Sequence, residues 1–393
     1  MSESALFLIP AAVDQSRLPS SVLATVPTDL LAVLAEVTDP RSRRGVRHRC
    51  GAVLAVAVCA VLAGARSYTA IAEWGRDLTP LVRLRLGLGR RPASESTIRR
   101  VLQRLDGEHL DRLVCAWLAG QPGAASDLSG MPVIAVDGKS ARGARGPDGR
   151  AVHLLAAFDT ATGVVLAQRV VDGKTNEITA FGPLLDRIDL TGALVTADAL
   201  HTQRGHVEYL LGRRAHFLLT VKANQPTLLG QLRALPWQQV PVADCTRDRG
   251  HGRVETRTVK LTEVAAGIGF PHTRTAVQIV RRTRRAGRAW HTETVHAITD
   301  LTVRQATPAV LADAQRAHWG IENRLHWVRD VTFAEDLSQI RSGAGPAVMA
   351  TLRNLAISLH RLTGATNNAA ASRETGRHPH RALHLITTTR MTR

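Results

Sequence analysis

Apolar positions recur at helical spacing through residues 28–120. Asp29–Val37 reads as a short first helix. AVLAVAVCAVLA, residues 52–63, is an unbroken apolar run too short to cross a bilayer and is expected as a buried helix over 51–64. SYTAIAEWGRDL (67–78) opens on a serine cap. ASESTIRRVLQRL (93–105) opens with Ser/Glu/Ser capping chemistry and places Ile98, Val101, Leu102 and Leu105 on one face. QPGAASDLSGMP (121–132) is rich in turn formers and marks a boundary.

Beyond it the pattern becomes that of strands. VIAVD (133–137) is continuously apolar and ends in an acid. AVHLLAAFD (151–159) and VVLAQRVV (164–171) flank TATG, a hairpin signal. ITAFGPLLDRI (178–188) is helical, ALVTAD (193–198) is a second apolar run ending in an acid, HVEYLLGRR (206–214) is helical, and HFLLTVK (216–222) is a strand. The order β-ββ-α-β-α-β predicts a mixed sheet with helices, an α/β core. Residues 237–305 alternate around Val254, Thr256, Thr258 and Val259 and around an arginine-rich turn, a β-rich insertion within about 231–305. Helical spacing returns over 308–331 and 345–362, and the polar stretch 363–393 is expected to be a loose tail. The chain thus divides into a helical N-terminal domain (28–120) and an α/β domain (131–362).

Charge narrows the function classes. Among 393 residues, 51 are basic and 33 acidic, a formal net charge of +18. Such an excess calls for a polyanionic partner, and nucleic acid is the usual one. Aromatic residues are 4% of the chain, too few for a base-stacking single-strand binder, so phosphate contacts are expected. The four cysteines form no C-x-x-C pair, which argues against a zinc ribbon or disulfide framework and fits a cytoplasmic location. The first residues, MSESALFLIPAAVDQ, lack the basic region of a secretory signal. The short helix carrying Arg99 and Arg100 follows another short helix, as in a helix-turn-helix, which makes the two arginines candidate DNA contacts; a solvated basic face explains the same pattern. Lysine is rare, and Lys139, Lys174 and Lys222 fall in the polar motifs VDGKS, DGKTNE and VKANQ.

Asp137 and Asp198 each end an apolar strand, where side chains of an α/β sheet reach the functional edge. Convergent carboxylates suit Mg²⁺, and paired ions suit phosphoryl transfer; a strand-end turn explains either acid alone. HWGIENRLHWVRD (318–330) offers a third acid. At about 100° per residue, Gln315, His318, His326 and Arg329 fall within about 40° of Glu322, beside an apolar stripe of Ala314, Ala317, Ile321, Leu325 and Val328. Trp319 falls near the acid, and Trp327 on a side suited to packing on another domain. His201 and His206 read as helix-start or surface residues rather than metal ligands.

VIAVDGKS, FDTATGVVLAQ, GKTNEI, VTADALHTQ, VKANQP, GRVETR and HWGIENRLHWVRDVTFAED together resemble the DDE transposases of bacterial insertion sequences, the ISAs1 family and its H-repeat-associated relatives in the IS4-like assemblage. The resemblance spans residues 30–362. It implies a ribonuclease-H-like fold, with Asp137, Asp198 and Glu322 as catalytic acids and ligands of two Mg²⁺ ions, Mn²⁺ being the alternative. Sixty-one residues separate the first two acids and 124 the last two. IS4-like enzymes show Tyr-x2-Arg-x3-Glu-x6-Lys, where this chain has Gln315, His318, Glu322 and Arg329. The implied reaction is hydrolysis at a transposon end followed by strand transfer. Lys139, Lys222, Asn224, Gln225, His318, His326 and Arg329 are then candidate DNA contacts, with Lys174, Asn176 and Glu177 behind them. Double-stranded DNA (terminal inverted repeats and target) is the expected partner, no membrane is involved, and two ends brought together imply a homodimer. A ribonuclease-H-like nuclease without transposition, or an inactive DNA-binding relative, remains open.

Overall fold

A computed structural model describes residues 29–44, 46–89, 91–121, 130–146, 149–171, 176–250, 252–264 and 268–387. The N-terminal pattern folds as α1 (Leu30–Ala35), α2 (Cys50–Leu62), α3 (Tyr68–Asp77), α4 (Pro80–Arg85), α5 (Glu95–Arg104) and α6 (Gly107–Ala119). The side chains of Asp29, Ser67, Thr79, Ser94 and Asp106 cap α1, α3, α4, α5 and α6 by accepting first-turn N–H groups. Each such cap contributes about 1 kcal/mol. In α2 every residue except Gly51 is buried, as its unbroken apolar run requires. Gly51 itself lets α1 approach: a Cβ there would lie 3.0 Å from the Ala35 Cα.

The strands are β1 (Val133–Arg145), β2 (Ala151–Asp159), β3 (Val165–Val171), β4 (Leu194–Ala197) and β5 (His216–Val221), with α7 (Glu177–Leu185) and α8 (Arg204–Gly212) between them and α9 (Pro226–Arg233) after. β1 pairs antiparallel with β2 and parallel with β4, β2 antiparallel with β3, and β4 parallel with β5. The order β3-β2-β1-β4-β5 is the ribonuclease-H-like arrangement. β1 runs well past Asp137 because Gly138–Ala141 keep pairing with β2, although their small and polar side chains give no strand signal.

The insertion supplies β6 (Asp244–Gly250), β7 (Arg253–Glu263), β8 (Thr275–Arg285) and β9 (His291–Thr299). β9 pairs with β5, so the insertion prolongs the sheet to nine strands. Alternate residues of β1 feed opposite cores, as a pleated strand must. Ala135 packs with Phe158 and helices α1, α2, α5 and α6, while Val136 packs with Val195, Phe217 and the α7–α9 side. The N-terminal helices therefore share a core with the sheet.

After β9 come α10 (Pro308–Ile321), α11 (Trp327–Val331), α12 (Gly345–Leu362), α13 (Asn368–Arg377) and α14 (Pro379–Thr387). The expected continuous helix over 308–331 is interrupted by a π-helical turn at Glu322–His326. The expectation of a loose tail over 363–393 fails for 368–387. Asn367 caps α13, and α14 buries Ala382, Leu383, Leu385 and Ile386 in the core shared with α2. The surrounding arginines and histidines hide that short apolar stripe in the sequence. Residues 388–393 lie outside the described part. Among the described residues, no helix is long and apolar enough to cross a membrane.

Candidate active site

Val136 stands opposite Ala197 in the parallel pair β1/β4, so Asp137 and Asp198 leave the sheet at the same edge. α10 packs across β1 and β4 and delivers Glu322 to that edge. His326, one wide turn later, is buried between two of the acids: its Nδ1 lies 3.6 Å from Asp137 Oδ2 and 3.5 Å from Glu322 Oε2. Donor atoms of Asp137, Glu322 and His326 all fall within 4.8 Å of one another. Asp198 lies outside that tight set but lines the same cavity of about 750 Å³, together with Lys222, Gln315, Trp319 and Trp327. Its carboxylate Oδ1 accepts the Leu200 N–H at 2.9 Å, which starts the short 3₁₀ turn after β4.

Crowded carboxylates disturb one another's protonation. Burial, then the Glu322 charge, and more weakly Asp198, push Asp137 up to about 8. Burial lowers His326, leaving its ring neutral at neutral pH. Two carboxylates and a neutral imidazole form a donor set suited to a divalent cation, and the repulsion that raises Asp137 is the kind such an ion relieves.

The remaining candidates divide. Lys222 is exposed and lines the cavity. Lys139 lines the same cavity, but it is mostly buried and its ammonium pairs with Asp330 (2.7 Å) and Asp336 (3.8 Å), which ties β1 to α11. Arg329 is fully buried and bonds Glu335 and Gln168. This corrects the helical-wheel assignment of Arg329 to the polar stripe. The π-helical turn adds a residue between Glu322 and Arg329, which rotates the later positions by about 100°. The same rotation brings Trp327, expected at a domain contact, to the cavity with its side exposed.

His318 accompanies the acids in the cavity but is no cationic contact. Its Nδ1 lies 3.1 Å from Thr196 Oγ1, and burial brings it down to about 4. Asn224 and Gln225 donate their amides to Ala199 O (2.6 Å) and Thr202 O (2.9 Å), so they clamp the turn that comes after Asp198. Arg99 and Arg100 are exposed on α5, engaged with Glu95 and Ser96, and do not line the cavity. Lys174 lies outside the described residues.

A buried relay behind the acids escapes the sequence reading. Ser140 Oγ meets His153 Nδ1 at 2.8 Å, His153 Nε2 meets Glu177 Oε1 at 2.5 Å, and His201 Nε2 lies 3.4 Å from Glu177 Oε2. Burial alone would raise Glu177, but bonds from His153 and His201 outweigh it and hold it down to about 2. His201 and His206 are thus buried, not surface residues. A polar residue on the apolar period of each element was the available signal. Gly138 rides directly over this relay: a Cβ there would lie 2.6 Å from Glu177 Oε1 and 2.7 Å from His153 Nε2. Gly138→Ala is expected to cost about 1–3 kcal/mol through overpacking. Because the strain falls next to Asp137, DNA cleavage should drop with it. An unchanged urea midpoint would refute the close approach.

Sequence comparisons agree with this geometry. The family model described as transposase DDE domain matches residues 128–359, and a DDE-associated model matches residues 31–118. A chain of Escherichia coli O157:H7 described as a candidate transposase, YncI, is 29% identical over 351 residues, covering 84% of this chain and 87% of its own. The H repeat-associated candidate transposase YhhI of E. coli strain K12 is 27% identical, covering 84% and 89%. A solved piggyBac transposase synaptic complex with hairpin DNA aligns over 93% of this chain and 78% of its own at 10% identity, with a TM-score of 0.44. With the DDE-domain model matched over most of the chain, and Asp137, Asp198 and Glu322 meeting at one sheet edge, this protein belongs to the DDE-domain transposases.

Proposed function

We propose that Asp137, Asp198 and Glu322 are the catalytic acids of a transposase that cuts DNA at the ends of its own insertion sequence and joins them to target DNA. The observation that carries this is the meeting of the three acids in a cavity also lined by Lys222, Arg257, Arg281 and Arg316. Lysine and arginine side chains thus stand beside the three acids, and Glu293, Asp330 and Asp336 also line the cavity, so phosphate-binding cations and carboxylates face one space.

Asp137, Glu322 and His326, with Asp198 in the same cavity, would hold the divalent cation. Magnesium bound there, with manganese as a substitute, would supply Lewis acidity to the phosphodiester and a more acidic attacking hydroxyl. Lys139 braces β1 against α11, so the first acid and the third keep their spacing. Lys222 contacts phosphate oxygens at the cavity mouth, and Arg99 and Arg100 bind the duplex farther off. The first reaction is hydrolysis of a P–O bond, freeing a 3′-hydroxyl. In the second, that hydroxyl displaces a target 3′-oxygen. Two ends are brought together by a homodimer acting on double-stranded DNA in the cytoplasm.

The test is an assay on plasmid DNA bearing the segments that flank the gene. Cleavage at the flanks and joined products are expected with Mg²⁺ or Mn²⁺ and are lost on chelation. Nicking without joined product would leave a nuclease, and cutting with no divalent cation would overturn the site.

A further inference from the structure

Past the ridge formed by Asn323 and Trp327 lies a second cleft, of about 580 Å³, between the turn that follows α2, the helix α11 and the start of α13. Its lining contains Arg66, Arg361 and Arg373 and no carboxylate. Among the described residues, none of these three arginines forms an ion pair. The Nη1 of Arg361 donates to Ala365 O (3.0 Å) and Thr366 O (2.8 Å), yet its Nε is buried without a partner. α13, ten residues long, begins in this cleft, with the free N–H groups and partial positive charge of a helix start. Asn368 in its first turn is only 3% exposed, and neither atom of its side-chain amide has a hydrogen-bond partner. A buried amide with no partner is costly, and its natural complement is a ligand. Trp327 borders both this cleft and the catalytic cavity.

We propose that this cleft is a phosphate subsite for the nucleic-acid strand that leaves the catalytic cavity past Trp327. One phosphate accepts hydrogen bonds from Arg361 Nε, the Asn368 amide and the start of α13. Arg66 and Arg373 neutralise that phosphate and its neighbour, and Trp327 lies against the adjoining sugar or base. The inference rests on DNA being the substrate, and it gives α13 a part in holding it.

The test measures binding of the full chain to a labelled duplex from the flanking DNA, in chelator so that nothing is cut, over a series of salt concentrations. Arg66→Ala with Arg373→Ala should weaken binding about tenfold and reduce the slope of log affinity against log salt by about two, whereas the double lysine variant keeps both. Asn368→Asp should weaken binding at least as much, because it sets a carboxylate beside the phosphate. Thermal melts of the arginine variants should match wild type, since both side chains are exposed. Equal affinity and slope in the alanine variant, or equal loss in the lysine variant, would overturn the subsite. Inorganic phosphate or a mononucleotide that stabilises wild type but not the alanine variant, with DNA affinity unchanged, would make it a small-phosphate site and overturn the strand assignment. If wild type binds and cuts DNA while the cleft variants behave like it, the subsite alone falls. If wild type binds no DNA, the catalytic reading falls with it.

Discussion

Asp137→Asn is expected to abolish DNA cleavage while the chain stays folded, with a rate loss of at least about a thousandfold. The figure comes from the several kcal/mol that metal assistance supplies to a phosphodiester reaction, at about 1.4 kcal/mol for each factor of ten. The fold should tolerate the change well. Asp137 sits half-buried beside Glu322 and is pushed up to about 8 by burial and by that neighbour, so without a cation it resembles the neutral amide already. In chelator the variant should melt no lower than wild type. Added Mg²⁺ should raise the wild-type melting temperature, because a ligand that binds only the folded chain stabilises it by mass action, and should raise the variant's less. Cleavage within tenfold of wild type would remove Asp137 from the catalytic set.

The strand-end acids are legible because continuous apolar runs such as VIAVD and ALVTAD announce buried strands, and the residue that ends each run must emerge at the sheet edge. The β-ββ-α-β-α-β order is legible for the same reason. Glu322 stands out by its polar stripe, but the course of the helix beyond it does not. A single added residue at 322–326 re-aims every later side chain on the helix, and no composition signal marks a π-helical turn. Hence helical spacing points Arg329 toward DNA when it lies in the core, and Trp327 toward a packing contact when it borders the cavity. Lys139 looks like a phosphate contact because its partners, Asp330 and Asp336, are 191 and 197 positions away along the chain. Pairs so distant leave no periodic trace. The C-terminal helices escape because their apolar stripe is short and their faces are charged, so that docking against α1, α2 and α12 is what makes them stable.

The largest stability effect is expected at Glu335, the carboxylate between two buried guanidiniums. Arg329 Nη2 lies 2.8 Å and Arg353 Nη1 2.7 Å from its oxygens, and all three side chains are essentially inaccessible. Glu335→Gln keeps the shape but leaves two positive charges buried together, which should cost about 3–5 kcal/mol of unfolding free energy at pH 7. The pH dependence has a definite sign. Burial alone would raise Glu335, but Arg329 and Arg353 outweigh it and hold it down to about 2 against an ordinary 4.5. A carboxyl depressed in the folded state contributes its full stability above the unfolded value and loses it as pH falls from about 4.5 towards 2. Wild type should therefore lose urea resistance steeply across that interval, and the variant should lose less there because it starts without the contribution. Arg329 sits one helical turn beyond the stretch that carries Glu322 and His326, so cleavage should fall along with stability. A variant that unfolds at the wild-type midpoint, with the same acid limb, would show that Glu335 does not hold α11 and α12 together.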